Sequence, residues 1–197
     1  IIGMACIFPG APDLNTFWQN IVSKVDAITD VPPDRWDPEI FFDPDSTEND
    51  RVYCQRGGYL GELAQFNPLD YGIMPVAVDG GDPSQFLALK VAYQALADAG
   101  YLNRPLNRQR VEVILGRGNY LDRGNCNITQ HSRFLEQTLQ ILKNLHPEYT
   151  QEELQAIKKE LKASLPHFGP ENAPSLIPNI TTGPVSYTHL RAHETGR

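Results

Sequence analysis

Residues 79–101 read DGGDPSQFLALKVAYQALADAGY, and this stretch decides the fold. Asp82 is a favourable N-cap residue, Pro83 suits the first helical position, and Gly100 stands where a left-handed C-cap residue is expected. The residues between these caps are apolar around most of the helix, which is typical of a buried helix. The large side chains form one face, made of Phe86, Leu89, Tyr93 and Leu96. The alanines form a second face, made of Ala88, Ala92, Ala95 and Ala99. We therefore expect a helix inside a layered domain, with another element packed closely on its alanine face.

Length and charge exclude several classes of protein. The chain has 197 residues, which is enough for one domain with a substantial core. Its net charge of −7 disfavours a general nucleic-acid binder, which would carry a basic face. The sequence contains no signal-peptide pattern and no apolar run long enough for a bilayer, so we expect no membrane span.

The cysteines do not suggest a disulfide or zinc framework. Cys6, Cys54 and Cys126 are far apart, odd in number, and include no C-x-x-C pair. A reducing, cytoplasmic setting with free thiols is the simplest interpretation. Cys6 lies in an apolar stretch and is expected to be a small core residue rather than a nucleophile. No histidine stands at local spacing from Cys54 or Cys126 to activate it, although a spatial pairing stays open.

The remaining pattern predicts an α/β domain. The apolar run 1–8 is expected to be a buried strand. An amphipathic helix capped by Asp13 should follow it and lie on the outside of a sheet. Residues 26–56 are expected to form a long loop, and residues 111–115 a second strand. Further helices are predicted over residues 128–145 and from Thr150, where Glu153 completes a capping box.

Other residues that suggest chemistry have simpler explanations. His131 is expected to be a packed or surface histidine, while His146 and His167 adjoin prolines at segment ends. The acidic residues of the long loop lack the glycine and terminal glutamate of an EF-hand, so a solvated loop is preferred to a calcium site. They are Asp43, Asp45, Glu48 and Asp50. Gly116 and Gly118 follow a predicted strand, but the third glycine of a dinucleotide motif would fall at Leu121.

The C-terminal residues differ in character from the rest. His189, His193 and Glu194 have the spacing of a helical metal site. However, SYTHLRAHET (186–195) resembles the translation of a transposase-type sequencing adapter, which argues against a metal site. We therefore expect residues 184–197 to be a non-native, disordered tail, and residues 1–183 to be part of a domain.

Four segments in order resemble a known family. IIGMACIFPGAPDLNTFWQNI (1–21), VPPDRWD (31–37), GGYLGELAQFNPLDYGI (57–73) and DPSQFLALKVAYQALADAGY (82–101) are similar to the N-terminal half of a β-ketoacyl synthase domain. IPNITTG (177–183) resembles the segment just upstream of the family's active-site strand. The resemblance implies a thiolase-like fold with α-β-α-β-α layers, here truncated. Its central layer of buried helices agrees with the pattern of residues 82–99.

The chain departs from the common modular polyketide enzymes at three places. It has DPSQF (82–86) where they carry a DPQQR-like motif, and GIMPVAV (72–78) where they carry a GISPREA-like run. Its region 121–176 is also longer and more helical. These features resemble iterative polyketide and polyunsaturated fatty acid synthases.

The resemblance implies a condensing enzyme. In the family, a cysteine takes an acyl chain from a carrier protein, and two histidines assist decarboxylation of a malonyl unit, whose carbanion attacks the acyl-cysteine. These three residues lie downstream of Gly183, so no catalytic residue, cofactor site or metal site is assigned here, and the chain alone is expected to be inactive. Implied partners are an acyl carrier protein, which presents thioesters on phosphopantetheine, and a second copy of the intact domain.

Two alternatives stay open at this point. The first is a non-catalytic partner of the same fold, similar to a chain-length factor, which would lack the nucleophile. The second is an unrelated nucleotide-binding α/β domain, which would bind a dinucleotide.

Overall fold

A computed structural model describes residues 1–78, 81–105, 107, 110–116, 118, 123–170, 176–177 and 181–186. The chain divides into two compact units. The first comprises Ile1–Gln65 and Val91–Arg104, and the second comprises Phe66–Lys90 and Pro105–Arg197.

The N-terminal segment is not a strand. Residues 1–7, all of which the structure describes, have no ladder partner, so the predicted strand over 1–8 is wrong. A strand exists only where a neighbouring strand accepts and donates its backbone hydrogen bonds. Here the Met4 amide donates instead to the Asp98 carboxylate, over 2.9 Å. Phe8 and Ala11 exchange two backbone hydrogen bonds of 2.9 Å and close the turn at Pro9 and Gly10.

Helix α1 (Leu14–Val22) begins as predicted at Asp13, whose carboxylate accepts from the Thr16 amide over 2.8 Å. Its apolar face was expected to pack on a sheet. The structure contradicts this, because none of the residues of α1 is buried and Trp18 is 61% exposed. Phe17 of that face is half-buried and stacks on Phe8 at 4.4 Å between ring centroids.

The long loop is tied together by a small antiparallel sheet. Strand β1 (Thr29–Asp30) pairs with β2 (Arg56–Gly57), with Thr29 opposite Gly57. Between them lies the short helix α2 (Pro38–Phe41). Backbone bonds between residues 41–43 and Val52 then close the acidic loop. Most of residues 26–56 is nevertheless irregular, as predicted.

Helix α3 (Pro83–Asp98) is the longest uninterrupted α-helix among the described residues, and its ends follow the sequence signals. Gly100 has φ +72°, the left-handed conformation that glycine adopts without strain. The Tyr101 amide donates to the Leu96 carbonyl over 2.8 Å and the Gly100 amide to the Ala97 carbonyl over 2.9 Å. These two bonds are those of a Schellman cap, which satisfies carbonyl groups at the helix end.

The alanine face of α3 is closely packed, as predicted. A β-carbon placed on Gly3 would stand 2.7 Å from the Ala99 β-carbon, so the N-terminal segment touches this face. Burial along the helix is less complete than the pattern predicted. Gln85, Phe86 and Leu89 are buried, whereas the second half is half-buried or exposed.

Short 3-10 turns at Gly61–Ala64, Pro68–Tyr71 and Pro75–Ala77 join the small sheet to α3 along the chain. In the second unit, Phe66 stacks on Tyr71 at 4.8 Å and lies 5.2 Å from the Phe86 ring. This aromatic cluster anchors the first turn of α3.

The second unit also contains a helical hairpin. Helix α4 (Arg123–Thr129) continues through a π-helical turn (Gln130–Phe134) into α5 (Leu135–Leu145), which packs on α6 (Gln151–Ser164). The helix predicted over 128–145 therefore starts earlier, at Arg123. The capping box at Thr150 is confirmed: the Thr150 amide donates to the Glu153 carboxylate over 2.8 Å, and the Glu153 amide donates to the Thr150 hydroxyl over 3.2 Å.

The packing between the hairpin helices is partly apolar and partly ionic. Leu135 is 2% exposed and Leu154 is 6% exposed. Lys158 of α6 pairs with Glu136 of α5.

The second predicted strand is also wrong. Residues 111–115 lie in the described segment 110–116 and form no ladder, because no strand lies beside them within the described part of the chain. Helix α7 (Thr182–Val185) spans the boundary predicted after Gly183, and its Val185 is 2% exposed. The disordered tail stays a prediction, since residues 187–197 lie outside the described part of the chain. None of the described helices is long and apolar enough to span a membrane.

Candidate functional site

The three cysteines are separate free thiols. Cys6 and Cys126 are half-buried and Cys54 is exposed. The Cys54 sulfur lies 3.5 Å from the Arg56 amide and carbonyl, so it packs beside strand β2. The rings of His131 and His146 make their hydrogen bonds to a carbonyl and a carboxylate, so neither of them supports the spatial pairing with a cysteine that the sequence left open.

Cys6 lines a cleft beside helix α1 and the end of α3, with a cavity volume of about 280 Å³. Burial raises the pKa of the Cys6 thiol, and the negative charge of Asp13 raises it further by a smaller amount. Asp13 supplies that charge because hydrogen bonds from Thr16 hold the pKa of its carboxyl below the usual range. A nucleophilic cysteine needs the opposite environment, which lowers its pKa. The cleft therefore keeps Cys6 as a protonated thiol.

Asp82 connects the starts of two helices. One carboxylate oxygen accepts from the Ser84 amide over 2.9 Å and also from the Ser84 hydroxyl, at the first turn of α3. The other oxygen accepts from the Arg123 amide over 3.1 Å, where α4 begins. The side chain is 5% exposed, so these bonds are shielded from water. The sequence predicted Asp82 as the cap of α3, but its bond to a residue 41 positions away is a result of the tertiary structure.

The histidines have distinct roles. The His131 ring donates from Nε2 to the Pro166 carbonyl over 2.8 Å, and its centroid lies 6.1 Å from that of Phe168. His131 and His167 line one cavity of about 630 Å³, together with Lys162. No sequence signal predicted this arrangement, because it brings together residues from two helices and the connection that follows them.

His146 ends helix α5, as the sequence predicted. It stacks on Tyr149 at 4.8 Å and lies 3.0 Å from the Glu148 carboxylate. The hydrogen bond from the Glu148 backbone amide holds the pKa of the Glu148 carboxyl below its usual range, and the hydrogen bond from His146 lowers it further by a smaller amount. These contacts stabilise the turn between α5 and α6. His189 and His193, with Glu194, lie outside the described residues.

The acidic loop has local contacts instead of converging carboxylates. Asp43 accepts from the Asp45 amide over 3.1 Å, and Asp50 pairs with Arg51 at 3.4 Å. Across the described part of the chain, no group of three or more His, Cys, Asp or Glu side chains has the arrangement of a metal site.

Comparison with known protein families identifies the chain. The family model of the β-ketoacyl synthase N-terminal domain matches residues 1–156. The chain belongs to this family. A β-ketoacyl synthase N-terminal domain has the thiolase-like fold that the sequence motifs implied, and the family membership does not favour the nucleotide-binding alternative or the chain-length-factor alternative.

Individual proteins are similar over different lengths of the chain. Polyketide synthase PksN of Bacillus subtilis is 35% identical over 119 residues, 60% of this chain and 2% of that protein. One subunit of the polyunsaturated fatty acid synthase of a Thraustochytrium species is 26% identical over 188 residues, 95% of this chain and 6% of that protein. The oxazolomycin ketosynthase domain OzmH KS7 of a Streptomyces species is 36% identical, with a TM-score of 0.48. That match covers 51% of this chain and 18% of the domain.

The chain therefore spans only a small part of the length of these relatives. It covers 2% of the Bacillus subtilis protein and 6% of the Thraustochytrium protein.

Proposed function

We propose that the chain is the N-terminal part of a β-ketoacyl synthase domain that extends acyl chains in a polyketide or polyunsaturated fatty acid synthase. The reaction is a decarboxylative Claisen condensation between an acyl-cysteine and a malonyl unit on a carrier protein. The observation that carries this proposal is the family match over residues 1–156, which includes all of helix α3.

The proposal assigns the 197 residues a structural part in the condensing domain, without condensing activity of their own. A condensing nucleophile must ionise near neutral pH, and the raised pKa of Cys6 opposes this. Cys54 is an exposed thiol beside β2, and Cys126 is a half-buried residue of α4. The nucleophile and the two histidines of the parent domain are proposed to lie beyond Gly183.

The substrates and partners follow from this assignment. The parent domain would receive thioesters from an acyl carrier protein, would form a homodimer in the cytoplasm, and would need no cofactor of its own. The similarity to the Thraustochytrium protein covers 95% of the chain. It therefore extends through most of the α4–α6 region, where the sequence departs from modular polyketide enzymes. This supports a parent related to polyunsaturated fatty acid synthases.

The test is to recover the uninterrupted gene and compare its complete ketosynthase domain with the 197-residue chain. Each protein is incubated with an acyl thioester and malonyl-carrier protein, and acylated cysteine and carbon dioxide release are measured. We expect the complete domain to be acylated at a cysteine beyond residue 183 and to release carbon dioxide, and the short chain to do neither. A complete domain with glutamine at the nucleophile position would identify a chain-length-factor-like partner and contradict the proposal.

A further inference from the structure

The cavity beside His131 is formed by residues close together in the chain. It lies between the π-helical turn (Gln130–Phe134) and the C-terminal end of α6, and its volume is about 630 Å³. All the residues that line it fall between positions 131 and 168 of the second unit. The cavity is thus a property of the helical region in which the chain departs from modular polyketide enzymes.

The lining of this cavity includes cationic or hydrogen-bond-donating groups. Lys162 and His167 contribute an ammonium group and an imidazole ring, and none of the described lining residues is acidic. No described carboxylate pairs with Lys162, whereas Lys158, one turn earlier on α6, is neutralised by Glu136. Lysine binds phosphate as a point charge, so Lys162 provides an attractive electrostatic centre for an oxyanion.

Apolar side chains also line the cavity. Leu165, Pro166 and Phe168 form a wall, and Phe168 packs near the His131 ring at 6.1 Å. The hydrogen bond from His131 to the Pro166 carbonyl fixes this wall against the helix. An apolar group beside a cationic centre is suited to a ligand that has both an anionic and an apolar part.

The backbone that carries His131 has an unusual helical conformation. Residues Gln130–Phe134 form a π-helical turn, in which the Leu135 amide donates to the Gln130 carbonyl. Short π-helical turns within α-helices are rare and frequently occur at functional sites. This turn supports His131, whose ring lines the cavity.

From these observations we propose that the cavity binds an organic phosphate, with the phosphate at Lys162 and His167 and an apolar substituent against Phe168. This binding site is separate from the condensing activity proposed above and does not depend on it.

Phenyl phosphate is a suitable probe, titrated into the 197-residue chain by calorimetry, with inorganic phosphate and phenol as comparisons. We expect saturable binding of phenyl phosphate, weaker binding of inorganic phosphate, and no binding of phenol. Lys162→Gln should weaken phenyl phosphate binding about tenfold or more, because a charge-assisted hydrogen bond is lost. Phe168→Ala should reduce the affinity to that for inorganic phosphate.

Lys159→Gln is the matched control, because Lys159 is an exposed lysine of the same helix and does not line the cavity. Circular dichroism of each variant checks that the helices are retained. No saturable binding of phenyl phosphate, or equal weakening by Lys159→Gln and Lys162→Gln, would overturn the proposal. Equal affinities for phenyl phosphate and inorganic phosphate would overturn the role of the apolar wall. None of these results bears on whether the parent domain condenses acyl chains.

Discussion

Gly3 lies against the carbonyl group of Ala95, so that a β-carbon on Gly3 would stand 2.4 Å from the carbonyl oxygen. No ordinary contact of a β-carbon is so short, and both neighbours on that side are backbone or alanine atoms that cannot rotate away. The amide of the next residue, Met4, donates to Asp98 on the same helix. Gly3 therefore allows the N-terminal segment to approach α3 closely enough for this bond.

Gly3→Ala is predicted to displace the N-terminal segment from α3. Overpacking of this kind costs about 1–3 kcal/mol, which corresponds to about a 5- to 150-fold loss of protection at the Met4 amide. Hydrogen exchange at Met4, which donates to Asp98, measures this directly. Gly116→Ala is the control, since a β-carbon there would meet nothing within 4 Å. Unchanged exchange at Met4 in the Gly3 variant would show that the close approach does not hold this segment.

Asp82→Ala is predicted to loosen the starts of both α3 and α4. The substitution leaves the Ser84 and Arg123 amides without their acceptor in a buried setting, at a cost of about 1–3 kcal/mol. Helical circular dichroism should decrease, and hydrogen exchange should accelerate at both amides. Asp34→Ala removes an exposed carboxylate and should change neither measurement. If hydrogen exchange accelerated at the Ser84 amide but not at the Arg123 amide, Asp82 would cap α3 without stabilising the start of α4.

The capping box of α6 is predicted to be sensitive to acid. Hydrogen bonds from the amide and then the hydroxyl of Thr150 lower the pKa of Glu153 in the folded chain. A lowered pKa means that Glu153 stabilises the helix above its unfolded pKa of about 4.3, and that this contribution is lost as the pH falls through the folded pKa. The first turn of α6 should therefore fray below about pH 4.

The Thr150 amide reports this fraying in NMR spectra recorded across the acid range, because it donates to the Glu153 carboxylate. Glu153→Ala should have a frayed first turn at neutral pH already and little further change on acidification. Glu152→Gln is the matched control in the same turn and should behave as the unaltered chain. Acid titration of the Thr150 signal in Glu153→Ala would assign the transition to another group.

The first unit is predicted to unfold without a sharp transition and to bind an apolar dye. Helix α1 exposes a contiguous apolar surface: Trp18, Ile21 and Val22 are each at least half exposed. Exposed patches of this type bind dyes such as ANS, and they contribute little to a cooperative core. Dye fluorescence and a thermal melt of the 197-residue chain measure both properties.

The double variant Trp18→Gln with Ile21→Lys should lower the dye fluorescence without loss of helical signal. The double variant Lys159→Gln with Glu160→Gln, at exposed positions of α6 that do not line the cavity beside His131, serves as the control and should leave the fluorescence unchanged. A sharp two-state melt with no dye binding would contradict this prediction.

The ends of helices were predictable because their signals are local. Asp13, Thr150 and Gly100 each act through backbone groups within five residues, and each cap lies where its residue type indicated. Residues 1–8 and 111–115 were wrongly predicted as strands because an apolar run indicates burial in a sheet only if neighbouring strands are present. Neither run has a neighbouring strand within the described residues.

The sequence by itself determined helix α3, its caps and its alanine face, because helix formation and capping depend on residues one to four positions apart. The order of its motifs also determined the family. Only the tertiary structure decided that Asp82 binds the Arg123 amide, that Gly3 lies on Ala95, and that His131, Lys162 and His167 share one cavity. These contacts join residues far apart in the chain, and their formation depends on how the whole backbone packs.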